Sequence, residues 1–161
     1  MSMSDRGAVW CLAFGQTLVW AGTYYLFPAL IVRWDSYFGW SRSELTVALT
    51  IAIFTSAFFA PISGRLIDKG FGPHLLFSGA FFGGLAVAGL FFVESLTAFY
   101  GIWFLIGICM AFALYEPCFA FVIRVKGIDA KRFITLITLV AGFASTVSFP
   151  VAHHLSDRFD W

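Results

Sequence analysis

Charge is what this sequence has least of. Asp, Glu, Lys and Arg make up 12% of its 161 residues, about half the share of an ordinary soluble domain. Hydrophobic residues fill 60% of the chain and aromatics 20%. No fold of this length buries so much apolar surface away from water, so a soluble globular domain is excluded. The 10 Lys and Arg residues form no cluster that would track phosphates, which argues against a nucleic-acid partner. Cysteine is sparse too: Cys11, Cys109 and Cys118 are odd in number and none stands in a Cys-x-x-Cys pair. They read as small residues facing lipid or a neighbouring helix. No Gly-x-Ser-x-Gly, His-Glu-x-x-His or phosphate-cradling loop occurs, so nothing points to an enzyme or to a cofactor. His153, His154 and Asp157 are close in sequence. Two good ligands fall short of the four that a structural zinc site wants, and no metal is expected.

What the chain has instead is apolar runs. Five of them predict helices over about 8–32, 44–64, 74–93, 96–123 and 133–154. A membrane crossing needs roughly 20 apolar residues, and in lipid the backbone has to satisfy itself, which favours helices. The expected fold class is an all-α membrane protein with five transmembrane helices joined by short loops. The first run is too long for a secretory signal and lacks a small-residue cleavage site, so it should stay as a signal anchor. If the N-terminus is inside, the inner loops carry Arg6, Arg65, Lys69, Arg124, Lys126, Lys131 and Arg132, and the outer ones Arg33, Arg42 and Arg158. That bias predicts a cytoplasmic N-terminus in the plasma (inner) membrane. Trp10, Trp34, Tyr37, Trp40 and Trp161 fall at the expected interfaces, where aromatic belts form.

Between the second and third runs lies Gly64-Arg65-Leu66-Ile67-Asp68-Lys69-Gly70-Phe71-Gly72, short, charged and glycine-rich. The three glycines allow sharp turning, and the Asp68 carboxylate is placed to accept N–H groups at a helix start. This stretch resembles the signature loop between helices 2 and 3 of major facilitator superfamily (MFS) transporters, Gly-x-Leu-x-Asp-Arg-x-Gly-Arg-Arg. Gly64, Leu66 and Asp68 match and Lys69 stands for the Arg. Gly70 is then one inserted residue, Gly72 takes the later glycine place, and Pro73-His74 replaces the basic pair. Gly39-Trp40-Ser41-Arg42-Ser43-Glu44-Leu45 resembles the helix 1–2 loop of the monocarboxylate-transporter-like branch, and Ser41 with Glu44 has capping-box spacing. Residues 155–161 resemble the family's outward loop between helices 5 and 6.

The resemblance implies an MFS-type six-helix N-terminal bundle cut before helix 6. The missing C-terminal half would lie on the same or a separate chain. It implies a secondary transporter that moves a small-molecule substrate across the lipid bilayer by alternating access. Gly64, Asp68, Lys69 and Gly72 would form its conformational-switch loop. The branch hints at small organic anions and leaves room for proton coupling, although no Lys or Arg stands between Arg6 and Arg33. The alternative is a non-transporting membrane scaffold or partner subunit.

Polar residues inside the runs are the site candidates. Glu116 is the charged side chain deepest in a run, eight residues before Arg124, hence about 12 Å further in at 1.5 Å per residue. An acid at that depth usually faces the bundle interior or a water-filled cavity. Pro117 cannot donate to the Ala113 carbonyl, which frees a backbone acceptor. Tyr115 adds a hydroxyl beside it. In the first run Gln16 and Thr23 share a face, with Thr17 and Tyr24 alongside. The resemblance makes this the face of the central cavity; plain interhelical hydrogen bonding is the other reading. Thr135, Thr138, Ser145, Thr146 and Ser148 carry a weaker signal, because hydroxyls bond back to their own helix. Gly79 and Gly83 make a Gly-x-x-x-Gly step that lets helices approach.

The basic-residue bias is testable with single cysteines at Asp129 and Ser36 in a background lacking native Cys. An impermeant thiol reagent added outside should label position 36 and spare position 129. The reverse pattern would overturn the topology.

Overall fold

The computed structural model describes residues 3–158, and side chains from Arg6 to Ser156. Phe159, Asp160 and Trp161, on which the belt and the 155–161 resemblance partly rest, lie outside the described residues, as does the side chain of Asp157. The described chain is helical, with α1 Met3–Thr23, α2 Leu26–Phe38, α3 Arg42–Asp68, α4 Gly72–Gly89, α5 Leu96–Ala113, α6 Tyr115–Lys126, α7 Ala130–Ala141 and α8 Ala144–Arg158. Three helical stretches are long and apolar enough to cross a membrane: Arg42–Asp68, Gly72–Phe92 and Leu96–Ser156. The last holds α5 to α8 with short interruptions.

Three of the apolar runs thus carry two helices where one was expected, and each interruption has a local cause. Pro28 has no N–H to give the Tyr24 carbonyl. Just before it, the N–H groups of Tyr24 and Tyr25 both bond the Trp20 carbonyl, at 3.1 and 3.0 Å, a local widening of the helix. Pro117 acts likewise on Ala113, and Leu114 is extended at φ −76°, ψ −163°. At Gly142–Phe143 the turn tightens instead, with the Phe143 N–H reaching the Val140 carbonyl at 3.1 Å. Both prolines sit in the first turn of the following helix, where a missing donor costs little.

The loops are closed by specific caps. Gly39, at φ 69°, ends α2, and Ser41 with Glu44 forms the expected capping box at the start of α3. α3 ends in a Schellman arrangement: the Phe71 N–H reaches the Leu66 carbonyl at 3.0 Å and the Gly70 N–H reaches Ile67 at 2.9 Å. Gly70 supplies the positive φ of 96°. Gly64 and Gly72, expected to turn the chain as well, are helical instead. Gly72 serves close packing, since a Cβ there would sit 2.5 Å from the Phe121 ring.

α5 is the central rod, packed along α3 on one side and α4 on the other, while α1 and α2 pack on α7 and α8. Contacts of α1 with α4, of α6 with α3 and α7, and of α2 with α3 join the groups. The Gly79–Gly83 step faces α5: a Cβ on Gly79 would meet the Ala113 Cβ at 2.9 Å and one on Gly83 the Cys109 Cβ at 3.3 Å. Opposite, α3 lies against Gly107, where a Cβ would fall 2.5 Å from the Ala52 carbonyl oxygen. Trp34, expected in an interfacial belt, is buried instead, at 1% exposure. Its ring packs on Phe27, Phe99 and Trp103 at 5.2–6.2 Å. α2 runs on to Phe38, so position 34 is still helical and turns inward. Cys11 is exposed, and Cys109 and Cys118 are buried.

Gly107→Ala should lower thermal stability by about 1–3 kcal/mol through overpacking. Gly84→Ala, where a Cβ meets nothing within 4 Å, should be neutral or slightly stabilising. Equal melting temperatures for the two variants in detergent would refute the close α3–α5 approach.

Candidate functional site

The helix interruptions leave backbone carbonyls without their regular donors, and side chains from other helices take them up. Pro117 frees the Ala113 carbonyl, and the Gln16 Nε2 donates to it at 2.7 Å. The widened turn at Tyr25 frees the Ala21 carbonyl, and the Ser148 hydroxyl donates to it at 2.8 Å. The Val140 carbonyl, at the end of α7, accepts the Thr17 hydroxyl at 3.3 Å, which also bonds back to Ala13 at 2.9 Å. Gln16, Thr17 and Ser148 are all buried. α1 is thereby tied to the α5–α6 break on one side and to α7–α8 on the other.

Beside these bonds, Trp20 is the hub of an aromatic patch. Its ring lies 5.3 Å from Tyr24, 6.2 Å from Tyr25 and 4.7 Å from Tyr115, and Tyr115 stacks on Phe119 at 5.0 Å. These rings are half-buried. The Trp20 Nε1 and the Gln16 Oε1 are buried without a hydrogen-bond partner. Both atoms are closed off from solvent, so the accessible part of the patch is its rings, Trp20 with Tyr24, Tyr25 and Tyr115.

The sequence candidates divide accordingly. Gln16, Tyr24 and Tyr115 gather around Trp20. Thr23 shares the buried face, but its hydroxyl is spent on Val19 of its own helix at 2.7 Å. Glu116 does not join the patch. It follows Tyr115 round the first turn of α6, is exposed, and borders a small cavity against α3 rather than α1. Sequence reading missed Trp20 and Ser63. Trp20 stands four residues from both Gln16 and Tyr24, a spacing that could have found it. Nothing local marked Ser63.

In the loop, Arg124 donates to the Asp68 backbone carbonyl and so holds the α3 C-terminus from α6. The Asp68 carboxylate is exposed, and α4 begins at Phe71 without a side-chain cap. Gly64, Lys69 and Gly72 lie within the same α3–α4 corner. Among the described residues no group of three His, Cys, Asp or Glu could hold a metal ion.

A helical chain with membrane-length apolar helices and polar groups turned inward at helix breaks has the make-up of an integral membrane protein. The family model of the Major Facilitator Superfamily matches residues 12–161, and the chain belongs to that superfamily. No curated protein and no solved structure gives a significant match.

The Gln16–Ala113 bond exists because Pro117 has no N–H, and a double-mutant cycle tests this. Gln16→Leu alone should lower stability by about 1 kcal/mol, leaving a buried carbonyl unpaired. In a Pro117→Ala background, where the backbone can serve Ala113, the same change should cost little. Equal costs in both backgrounds, read from thermal melts in lipid nanodiscs, would show the two residues to be uncoupled.

Proposed function

We propose that this protein is a secondary transporter that carries a small solute across the plasma (inner) membrane by alternating access, with Glu116 exchanging a proton. The observation that carries the reading is the polar bridging of helix breaks: the α1–α2 and α5–α6 interruptions each free a carbonyl that a side chain from another helix takes up. Irregular backbone at membrane depth is tolerated where it is buried in protein or lines a cavity, and discontinuous helices recur at transporter sites. In this reading α1–α2, α3, α4, α5–α6 and α7–α8 are five crossings of a first bundle, with the N-terminus cytoplasmic. A second bundle, on the same or a separate chain, would face the Trp20–Tyr24–Tyr115 patch. The corner Gly64–Gly72 would be the element whose contacts differ between the two states, which is what a conformational equilibrium responds to.

The Gly39–Leu45 resemblance favours small organic anions as cargo. No Lys or Arg occurs between Arg6 and Arg33 or between Lys69 and Arg124, so a carboxylate would take its cation from elsewhere. Glu116 is the carboxylate within these stretches that stands beside a helix break. It is exposed in this structure, as befits a group that meets water in a cavity rather than one locked in a helix contact.

Glu116→Gln keeps size and hydrogen bonding but removes titration. In membrane vesicles supplied with a panel of labelled carboxylates and neutral solutes, the variant should insert at normal abundance and lose the pH dependence of flux. Flux and pH profile matching the unmodified protein would make Glu116 structural and end the proton-coupling reading.

A further inference from the structure

Where α1 meets the start of α7, the surface forms an open groove. Lys131 and Arg132 line one end of it and are exposed. Asp129, in the turn before α7, is the acid that lines it, and Arg6 stands one turn before Val9 on α1. Three bases against one acid leave this end positive. Beyond them the walls are Val9 of α1 and Phe133, Leu136 and Leu139 of α7. Leu139 is 65% exposed. It stands seven residues past Arg132, so about 10 Å further along the helix at 1.5 Å per residue. The Thr135 hydroxyl, also on the groove, donates to the Lys131 carbonyl at 2.9 Å and brings no unmet donor to the wall. Ile128 borders the charged end and is 99% exposed.

An occupant that fits this groove is anionic at one end and apolar for about 10 Å beyond it. A free anion leaves the apolar wall uncovered. A neighbouring helix is a poor fit as well. Helices in lipid approach one another through small residues, as at Gly79, Gly83 and Gly107 in this structure. None of the residues lining the groove is glycine or alanine. A phospholipid has both parts. We propose that the groove binds one anionic phospholipid of the cytoplasmic leaflet, with its phosphate on Lys131 and Arg132 and an acyl chain along Val9, Leu136 and Leu139. Basic pockets between membrane helices on the cytoplasmic side suit such head groups, and a guanidinium can hold a phosphate through two parallel bonds. Ile128 then enters the boundary between head groups and acyl chains instead of water. The proposal goes beyond the transport reading and takes from it only which leaflet the groove meets. A lipid seated there bridges α1 and α7, the two helices that the Thr17–Val140 bond joins.

Native mass spectrometry of the purified protein in detergent, with phosphatidylglycerol or phosphatidylcholine added, tests this. One phosphatidylglycerol should be retained saturably, and phosphatidylcholine should not. Lys131→Gln with Arg132→Gln should weaken retention about thirtyfold, the increment of two bases near an anionic surface. Arg65→Gln with Lys69→Gln removes the same charge from the same side and should leave retention unchanged. Leu139→Gln should weaken it through the chain, and equimolar glycerol phosphate should not displace the lipid. Equal retention of the two lipids, or full retention by the Lys131→Gln, Arg132→Gln variant, overturns the proposal. Displacement by glycerol phosphate makes the groove a plain anion site and overturns it too. A further arm leaves both bases in place: a photoreactive phenylalanine analogue at position 139, in cell membranes, should crosslink to phospholipid. Crosslinks to protein instead give this face to the second bundle and overturn the proposal. All these outcomes are read without transport, so the roles proposed for Glu116 and the cargo stand or fall separately.

Discussion

Lipid offers no hydrogen bonds, and the architecture turns on the fate of the few backbone carbonyls that helix breaks set free. An unpaired carbonyl in hydrocarbon costs several kcal/mol. A chain that interrupts three apolar stretches has to supply donors from elsewhere. Here the donors are neutral side chains on other helices, Gln16 for Ala113 and Ser148 for Ala21; Thr17 adds a second bond to the Val140 carbonyl, which already accepts the Phe143 N–H. Each bond couples a local distortion to an interhelical contact. The breaks are thus the places where α1, α5–α6 and α7–α8 are registered against one another.

This arrangement divides the interior by chemistry. On the α1 side of α6, aromatic rings and neutral groups gather around Trp20. On the α3 side, Glu116 and the buried Ser63, whose hydroxyl has no partner among the described residues, border one small cavity. Tyr115 and Glu116 are adjacent in sequence, yet the turn of α6 sends them to different partners. Close packing elsewhere holds the partition in place. The Gly79–Gly83 face lets α4 settle on α5, and Gly107 lets α3 do so from the other side. Small residues are how helices approach in a medium that provides no hydrophobic drive between them.

Prolines alone do not dictate the breaks. Pro61 lies inside an α3 that runs unbroken from Arg42 to Asp68, whereas Pro28 and Pro117 each follow an interruption. The difference at Pro117 is the partner: a glutamine on another helix accepts the role that the missing N–H vacates. The corner after α3 follows the same logic, with Arg124 reaching the Asp68 carbonyl.

The sequence by itself determined the helical class, the membrane setting and the family. Apolar runs of membrane length admit little else, and the Gly64–Asp68 loop carried the resemblance that the family match over residues 12–161 supports. It also foretold the capping box at Ser41 and Glu44 and the acceptor freed at Ala113, because both arise from chemistry within one turn of chain. Only tertiary structure decided that Gln16 answers Ala113 across 97 residues, that Trp34 turns into the core, and that Glu116 stands beside Ser63 instead of Gln16. Hydropathy reports that a residue is out of water, but every face of a helix in lipid is apolar, so periodicity gives no sign of which neighbour a side chain will meet. That choice belongs to the packing of the helices against one another.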